Sequence, residues 1–217
     1  MPMTDLTTLA LPPWAIPSRP REAAINNHAI PIAEKWWHDA IHIRGLPGTS
    51  PAGSTLTRAD VWAPASDVFT LLWRALAWGS GRYLRQNARR LTSIAADIPR
   101  AETLLTAAME KSQHSPMEAY MVLRPDTRSE FRALGPSFFT KFLYFAGGGA
   151  PEHPCLILDR VVATALRQRC GWTSLHPTGP WPAKTYQRYC TLLNRWADEN
   201  YCAADQIEHA LFAGNPR

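Results

Sequence analysis

Cysteine is scarce in this chain, and no two cysteines form a Cys-x-x-Cys pair. Cys155, Cys170, Cys190 and Cys202 stand too far apart for a zinc ribbon or a tightly spaced iron–sulfur loop, and they read as free thiols in a reducing compartment. No segment approaches the roughly 18 apolar residues that cross a bilayer, and no basic region followed by an apolar run opens the chain. The expectation is a soluble, cytoplasmic monomer with no membrane partner. Alternation of the kind that builds strands is also short wherever it occurs, which argues against a sheet-based fold. Acidic residues are the minority charge, 18 against 23 basic ones, and the net charge of +5 with a pI near 9.2 suits an anionic partner.

Proline, tryptophan and helical periodicity are what the chain has in supply. Pro12, Pro13, Pro17 and Pro20 make residues 1–24 an extended arm, lying over a core or left disordered. Residues 25–217 are expected to form a single helical domain, since 46% of the chain is hydrophobic, enough for one substantial core. The spacing of Ile32, Trp36, Trp37, Ala40 and Ile41 predicts a helix over 31–44, and residues 45–60 read as a loop. Apolar residues then recur at three and four positions, predicting helices near 65–77, 82–95, 100–112, 116–123, 127–133, 138–146, 156–169, 182–199 and 204–212. The fold class is all-α.

The stretch Leu134-Gly-Pro-Ser-Phe-Phe-Thr-Lys141 carries the most chemistry. A helix, a tight Gly-Pro turn and a second helix leave backbone N–H groups unpaired at the second helix's start, an anion site suited to a DNA phosphate. Ser137 reads as the cap of that second helix and Gly147-Gly148-Gly149 as its end, placing Lys141 beside Phe138 and Phe145. Dry aromatic surroundings disfavour a charged amine, and a neutral amine is the nucleophile that attacks a sugar C1′. Asp159, at the start of the following helix, can orient that amine and stabilise positive charge on a deoxyribose ring as its base departs.

These residues resemble the helix-hairpin-helix DNA glycosylases, most closely the 8-oxoguanine DNA glycosylase branch. That branch has a hairpin ending in Gly-Thr-Lys, a catalytic Lys in the second helix, and a catalytic Asp in a Val-Asp-Val-His setting. Thr140-Lys141 and Leu158-Asp159-Arg160-Val161 stand in those places. The resemblance extends from about Asp67 to Phe212 and implies a two-lobed fold, its hairpin near 126–147 and its active site in the interlobe cleft. It implies a DNA glycosylase that needs neither cofactor nor metal, with Lys141 and Asp159 catalytic and strand cleavage by β-elimination as a sequel. Four positions depart from the branch: Ser137 and Phe139 replace hairpin glycines, Val161 replaces a His, and Phe145 replaces a Cys.

The same resemblance sets further expectations. The partner is DNA containing a modified base, either an oxidised purine or a hypermodified phage base, which would make the role repair or antiviral defence. Phe145 stacks on the flipped base, Glu208 reads its edge by accepting hydrogen bonds, and Phe212, four positions on, stacks on it as well. Trp78 or Tyr83, on the loop after the helix containing Phe69, is the wedge that fills the vacated stack. The hairpin residues Gly135, Ser137, Phe138, Phe139 and Thr140 meet the backbone. Arg82, Arg85 and Arg89 form a basic stripe on one helix, with Arg90 adjoining, and Arg128 and Arg132 add a pair on the first hairpin helix.

Two other readings compete. One is a catalytically inactive DNA-binding module of the same fold, which the altered hairpin favours. The other is a zinc protease helix at His38-Asp-Ala-Ile-His42, which lacks the usual Glu and any evident third ligand.

Overall fold

Proline and small polar residues, more than helix formers, decide where several helices of this chain begin. In the computed structural model, which describes residues 4–214, α1 spans Glu34–Ile43 and α2 spans Arg58–Trp62. Then follow α3 (Val68–Ser80), α4 (Asn87–Ala95), α5 (Ile98–Ser112) and α6 (Pro116–Leu123). The last four are α7 (Pro136–Phe145), α8 (Arg160–Arg169), α9 (Ala183–Glu199) and α10 (Ala204–Ala213). Asp67, Asp97 and Ser115 cap α3, α5 and α6 by accepting from the backbone N–H three residues on. Pro116 and Pro136 occupy first-turn positions, where the missing N–H costs nothing. The apolar faces close on one another around Trp37, Trp73, Trp172, Trp181 and Trp196, all buried. The mostly helical class is as expected, and among the described residues no helix is long and apolar enough to cross a membrane.

The expected loop over 45–60 holds more order than its composition suggests. Ala29–Pro31 (β1) pairs antiparallel with Thr55–Thr57 (β2), with Ala29 opposite Thr57. Thr57 then caps α2 in a reciprocal box with Asp60. This small ribbon brings His28 and Arg58 side by side, and the Arg58 N–H donates to the His28 carbonyl at 3.1 Å.

The helix expected at 127–133 does not form. Pro125 cannot continue α6, Arg124 turns extended, and residues 124–135 run as bends that bury Phe131 and Leu134 and leave Arg128 and Arg132 outside. The link between α6 and α7 is therefore a long irregular connection, not a tight Gly-Pro turn between adjoining helices. The helix expected at 82–95 begins only at Asn87: Gly81 ends α3 at φ +58° and Gln86 takes φ +69° before α4.

Residues 156–158, also expected to be helical, are extended, since Tyr186 and Tyr189 of α9 donate to the Leu156 and Ile157 carbonyls at 2.8 and 2.6 Å. Within the arm, residues 4–24 lie on the core: Ala15 is buried, and the Trp196 indole donates to the Leu9 carbonyl at 2.8 Å. Residues 1–3 of the arm and the last three residues, 215–217, lie outside the described residues.

Candidate active site

Lys141 lies in the middle of α7, whose N-cap is Gly135 and not Ser137. Ser137 sits inside the first turn, and its carbonyl accepts from Lys141 Nζ at 2.7 Å. Asp159 is the N-cap of α8, and its two oxygens divide their work. Oδ1 accepts from the Val161 and Val162 N–H groups at 2.9 and 3.1 Å, while Oδ2 faces Lys141 Nζ at 3.5 Å. Thr140 ties the two elements together, because its hydroxyl accepts from the Leu158 N–H at 3.2 Å and donates to the Pro136 carbonyl at 2.7 Å. The amine and the carboxylate are thus held by backbone contacts on both sides, and their side chains are only 8% and 16% exposed.

α3 can pass this close to Lys141 only because residue 79 is glycine. A Cβ there would stand 2.6 Å from Lys141 Cδ. Gly79→Ala is expected to leave folding intact, since alanine gains about 1 kcal/mol of helix propensity and the obstructed atom belongs to a flexible side chain. The displaced amine should cost about 10²-fold in excision rate. Thermal melts beside single-turnover assays separate the two effects.

Lys141 and Asp159 open onto a cavity of about 420 Å³, within the ~300–1,000 Å³ range of small-molecule sites. Its walls are Trp78 and residues 79–83 after it, Ile30 and Pro31 of β1, Ile157, and Phe212 of α10. His28, Arg58 and Glu208 line it as well. Arg58 Nη2 donates to Glu208 Oε2 at 2.8 Å, with the two side chains 1% and 2% exposed. Arg58 lies 5.1 Å from the centre of the Trp78 ring and 5.2 Å from that of Tyr144. Burial opposes charge on Arg58, yet Glu208 and the Tyr144 hydroxyl outweigh it and hold the guanidinium charged. Burial pushes the Glu208 carboxyl upward, with Arg58 opposing. The Tyr144 hydroxyl itself donates to Asp205 at 2.9 Å, and Arg21 closes the same carboxylate from the arm.

His28 and His209 stack edge to face at 4.8 Å behind this pair. Burial first, then Arg58, lowers both: His28 to about 3 and His209 to about 4. Both imidazoles are therefore neutral near pH 7. Charging them favours the unfolded chain, where they take up protons near the ordinary value of 6.5. Their contribution to stability is complete above about pH 6.5 and is lost as the pH falls from there toward 4. Urea melts between pH 4 and 7 should show a steeper fall for the native chain than for His28→Leu/His209→Leu.

Several expected site residues lie elsewhere. Phe145 is buried against Trp62 and Tyr144 and sits behind Trp78, 5.3 Å from it edge to face, so no flipped base stacks on it. Phe139 is buried against Tyr120, and Thr140 is buried in the contacts above, so neither reaches a phosphate. Trp78 is a buried wall whose indole donates to the His28 carbonyl at 3.3 Å, which removes it as a wedge. Tyr83 lines the same cavity and is 86% exposed. Arg82, Arg85 and Arg89 are exposed but share no helical stripe, since only Arg89 is on α4. Arg90 is buried over the Phe138 ring, donating to the Ala133 carbonyl at 2.8 Å. Glu208 and Phe212 do line the cavity, and Oε2 of Glu208 is bonded to Arg58.

Arg58 and His28 escaped the sequence reading. The signal for Arg58 was present: Thr57-x-x-Asp60 is a capping box that announces a helix starting at Arg58. Among the described residues no group of three His, Cys, Asp or Glu side chains could hold a metal ion, so the stacked pair His38 and His42 has no third ligand.

Residues 23–212 match the model of the family described as "Putative 8-oxoguanine DNA glycosylase OGG-like protein". The chain belongs to that family. Membership agrees with the resemblance drawn from Lys141 and Asp159 and points to a DNA glycosylase with DNA as its substrate. No curated protein and no solved structure matches the chain.

Proposed function

We propose that this cavity receives a modified base rotated out of DNA and that the protein cleaves its N-glycosidic bond. The Lys141 amine attacks C1′, forming an N–C1′ bond as the C1′–base bond breaks. The base leaves with the bonding electrons and receives the proton that the amine sheds. Asp159, held in place by its bonds to the α8 N–H groups, stabilises positive charge on the sugar. Ring opening then gives a Schiff base, from which loss of the 3′ phosphate by β-elimination cuts the strand.

In this reading the cavity is the interlobe cleft of a two-lobed fold. Tyr83 fills the vacated stack. Gly135, Ser137 and Phe138, with Arg128 and Arg132 beside them, meet the backbone at the uncapped start of α7. Arg82, Arg85 and Arg89 add charge near the mouth.

The observation that carries the reading is the facing of Lys141 Nζ and Asp159 Oδ2 at 3.5 Å on a cavity with aromatic walls. An oxidised purine and a hypermodified phage base remain the two targets. Duplexes with single modified bases and modified phage DNAs, incubated with the protein and then heated in alkali, should break at the modified positions. Intact strands across the whole panel would contradict excision and leave a DNA-binding module.

A further inference from the structure

Two of the helices that wall the cavity take their support from different neighbours. α7, which carries Lys141, packs on α3, α5 and α6, whereas α10, which carries Glu208 and Phe212, packs on α8 and α9. Among the described residues one hydrogen bond joins the two helices: the Tyr144 hydroxyl of α7 donates to Asp205 Oδ2 of α10 at 2.9 Å. Burial pushes the Tyr144 hydroxyl up and keeps it protonated, so it remains the donor. Tyr144 is about one turn past Lys141, and Asp205 about one turn before Glu208, so this bond sits close behind both wall residues. Arg58 of α2 meets the same tyrosine, its guanidinium 5.2 Å from the ring centre and within hydrogen-bond reach of the hydroxyl, while its Nη2 holds Glu208.

This cluster contains two buried carboxylates and needs two cations. Asp205 and Glu208 are 3% and 2% exposed, and Arg58 is the ion-pair partner of Glu208 alone. Arg21 is the partner of Asp205, with Nε donating to Oδ1 at 3.1 Å and Nη2 to Oδ2 at 2.7 Å, a two-pronged pair. That cation comes from the N-terminal arm. The arm is otherwise docked through its backbone: Arg195 donates to the Thr7 carbonyl at 2.6 Å, Trp196 to the Leu9 carbonyl at 2.8 Å and Gln206 to the Arg19 carbonyl at 3.0 Å. Contacts to carbonyls tolerate many side chains on the arm, but the contact to Asp205 requires this arginine. Without it Asp205 is a buried charge lacking a cation, and Arg58 is drawn between two carboxylates.

We propose that Arg21 is a positioning residue for base excision: through Asp205 and Tyr144 it sets the α10 wall of the cavity against the nucleophile on α7, which makes the N-terminal arm part of the active site. This rests on the glycosylase reading above. Lys141 and Asp159 do not depend on the cluster, since the Ser137 carbonyl and the Thr140 hydroxyl fix them from within α7 and the strand before α8. Loss of Arg21 therefore disturbs the reception of a base and spares the amine.

Two assays separate those effects. Single-turnover excision, on whichever duplex of the modified-base panel the native protein cuts fastest, needs base, sugar and amine together. Borohydride trapping on a preformed abasic site needs only sugar and amine. Arg21→Met and Tyr144→Phe should each excise about 10- to 10²-fold more slowly than the native protein and trap at its rate. Arg21→Met/Asp205→Asn should return to within a few-fold of native excision, because the asparagine oxygen still accepts from Tyr144 and carries no charge.

Tyr144→Phe keeps the ion pair of Arg21 and Asp205, so it carries the test alone if Arg21→Met does not fold. Native excision rates in folded Arg21→Met or Tyr144→Phe overturn the proposal. So does a fall of excision and trapping together, in step with melting temperature, which marks a role in the scaffold only, or a double variant as slow as Arg21→Met. A native protein that cuts no duplex of the panel fails the glycosylase reading itself and takes this proposal with it.

Discussion

Lys141→Gln should yield a folded protein whose base excision falls by at least about 10³-fold and which forms no borohydride-stable adduct with DNA. The fold should survive because a glutamine amide can still reach the Ser137 carbonyl that now accepts from Nζ. Asp159, left without its amine partner, is partly exposed, and its other oxygen remains tied to the α8 N–H groups. The expected stability change is therefore the ~0.5–3 kcal/mol common to single substitutions. Chemistry has no such reserve. Among the described residues the cavity is lined by one lysine, and the arginines at its wall and mouth stay protonated and cannot serve as amines in its place. Circular dichroism with single-turnover excision reads both effects on one preparation.

Asp159 should separate catalysis from folding in a different way. Asparagine caps helices about as well as aspartate, so Asp159→Asn keeps the bonds to Val161 and Val162 and should melt within a few tenths of a kcal/mol of the native chain. Excision should still fall about 10²–10³-fold, because a neutral amide gives no stabilisation to positive charge on the sugar. Asp159→Ala loses the cap as well and should cost about 1 kcal/mol in stability with a similar loss of rate. A carboxylate serving only as a cap predicts the opposite order: Asn near normal in both assays, Ala impaired in proportion to its stability.

The parts of the site that could be read from the sequence are those set by local patterns. Lys141 and Asp159 sit in elements whose starts are marked by Gly135-Pro136 and by Asp159 itself, and helical spacing places α3, α5, α6, α9 and α10 within a few residues. Where reading failed, contacts distant in sequence had decided the outcome. Leu156 to Leu158 look helical, yet tyrosines of α9 take their carbonyls and hold them extended, which is what turns Asp159 toward Lys141. Phe145 has a helical position suited to base stacking, but Trp78 fills the space between it and the cavity. Arg58 lay within an apparent loop, and its partner Glu208 is 150 positions away, a separation no periodicity reveals. The arginines at 82, 85 and 89 look like a stripe only if Gln86 is helical, and it adopts φ +69°.

The most direct test of the central claim is to locate the covalent bond. Native protein incubated with abasic-site DNA and borohydride, digested with protease and nuclease and sequenced by mass spectrometry, should carry the reduced sugar on the ε-amine of Lys141. A sugar mapped to the α-amine or to another lysine, such as Lys184, would mean that the amine facing Asp159 is not the nucleophile.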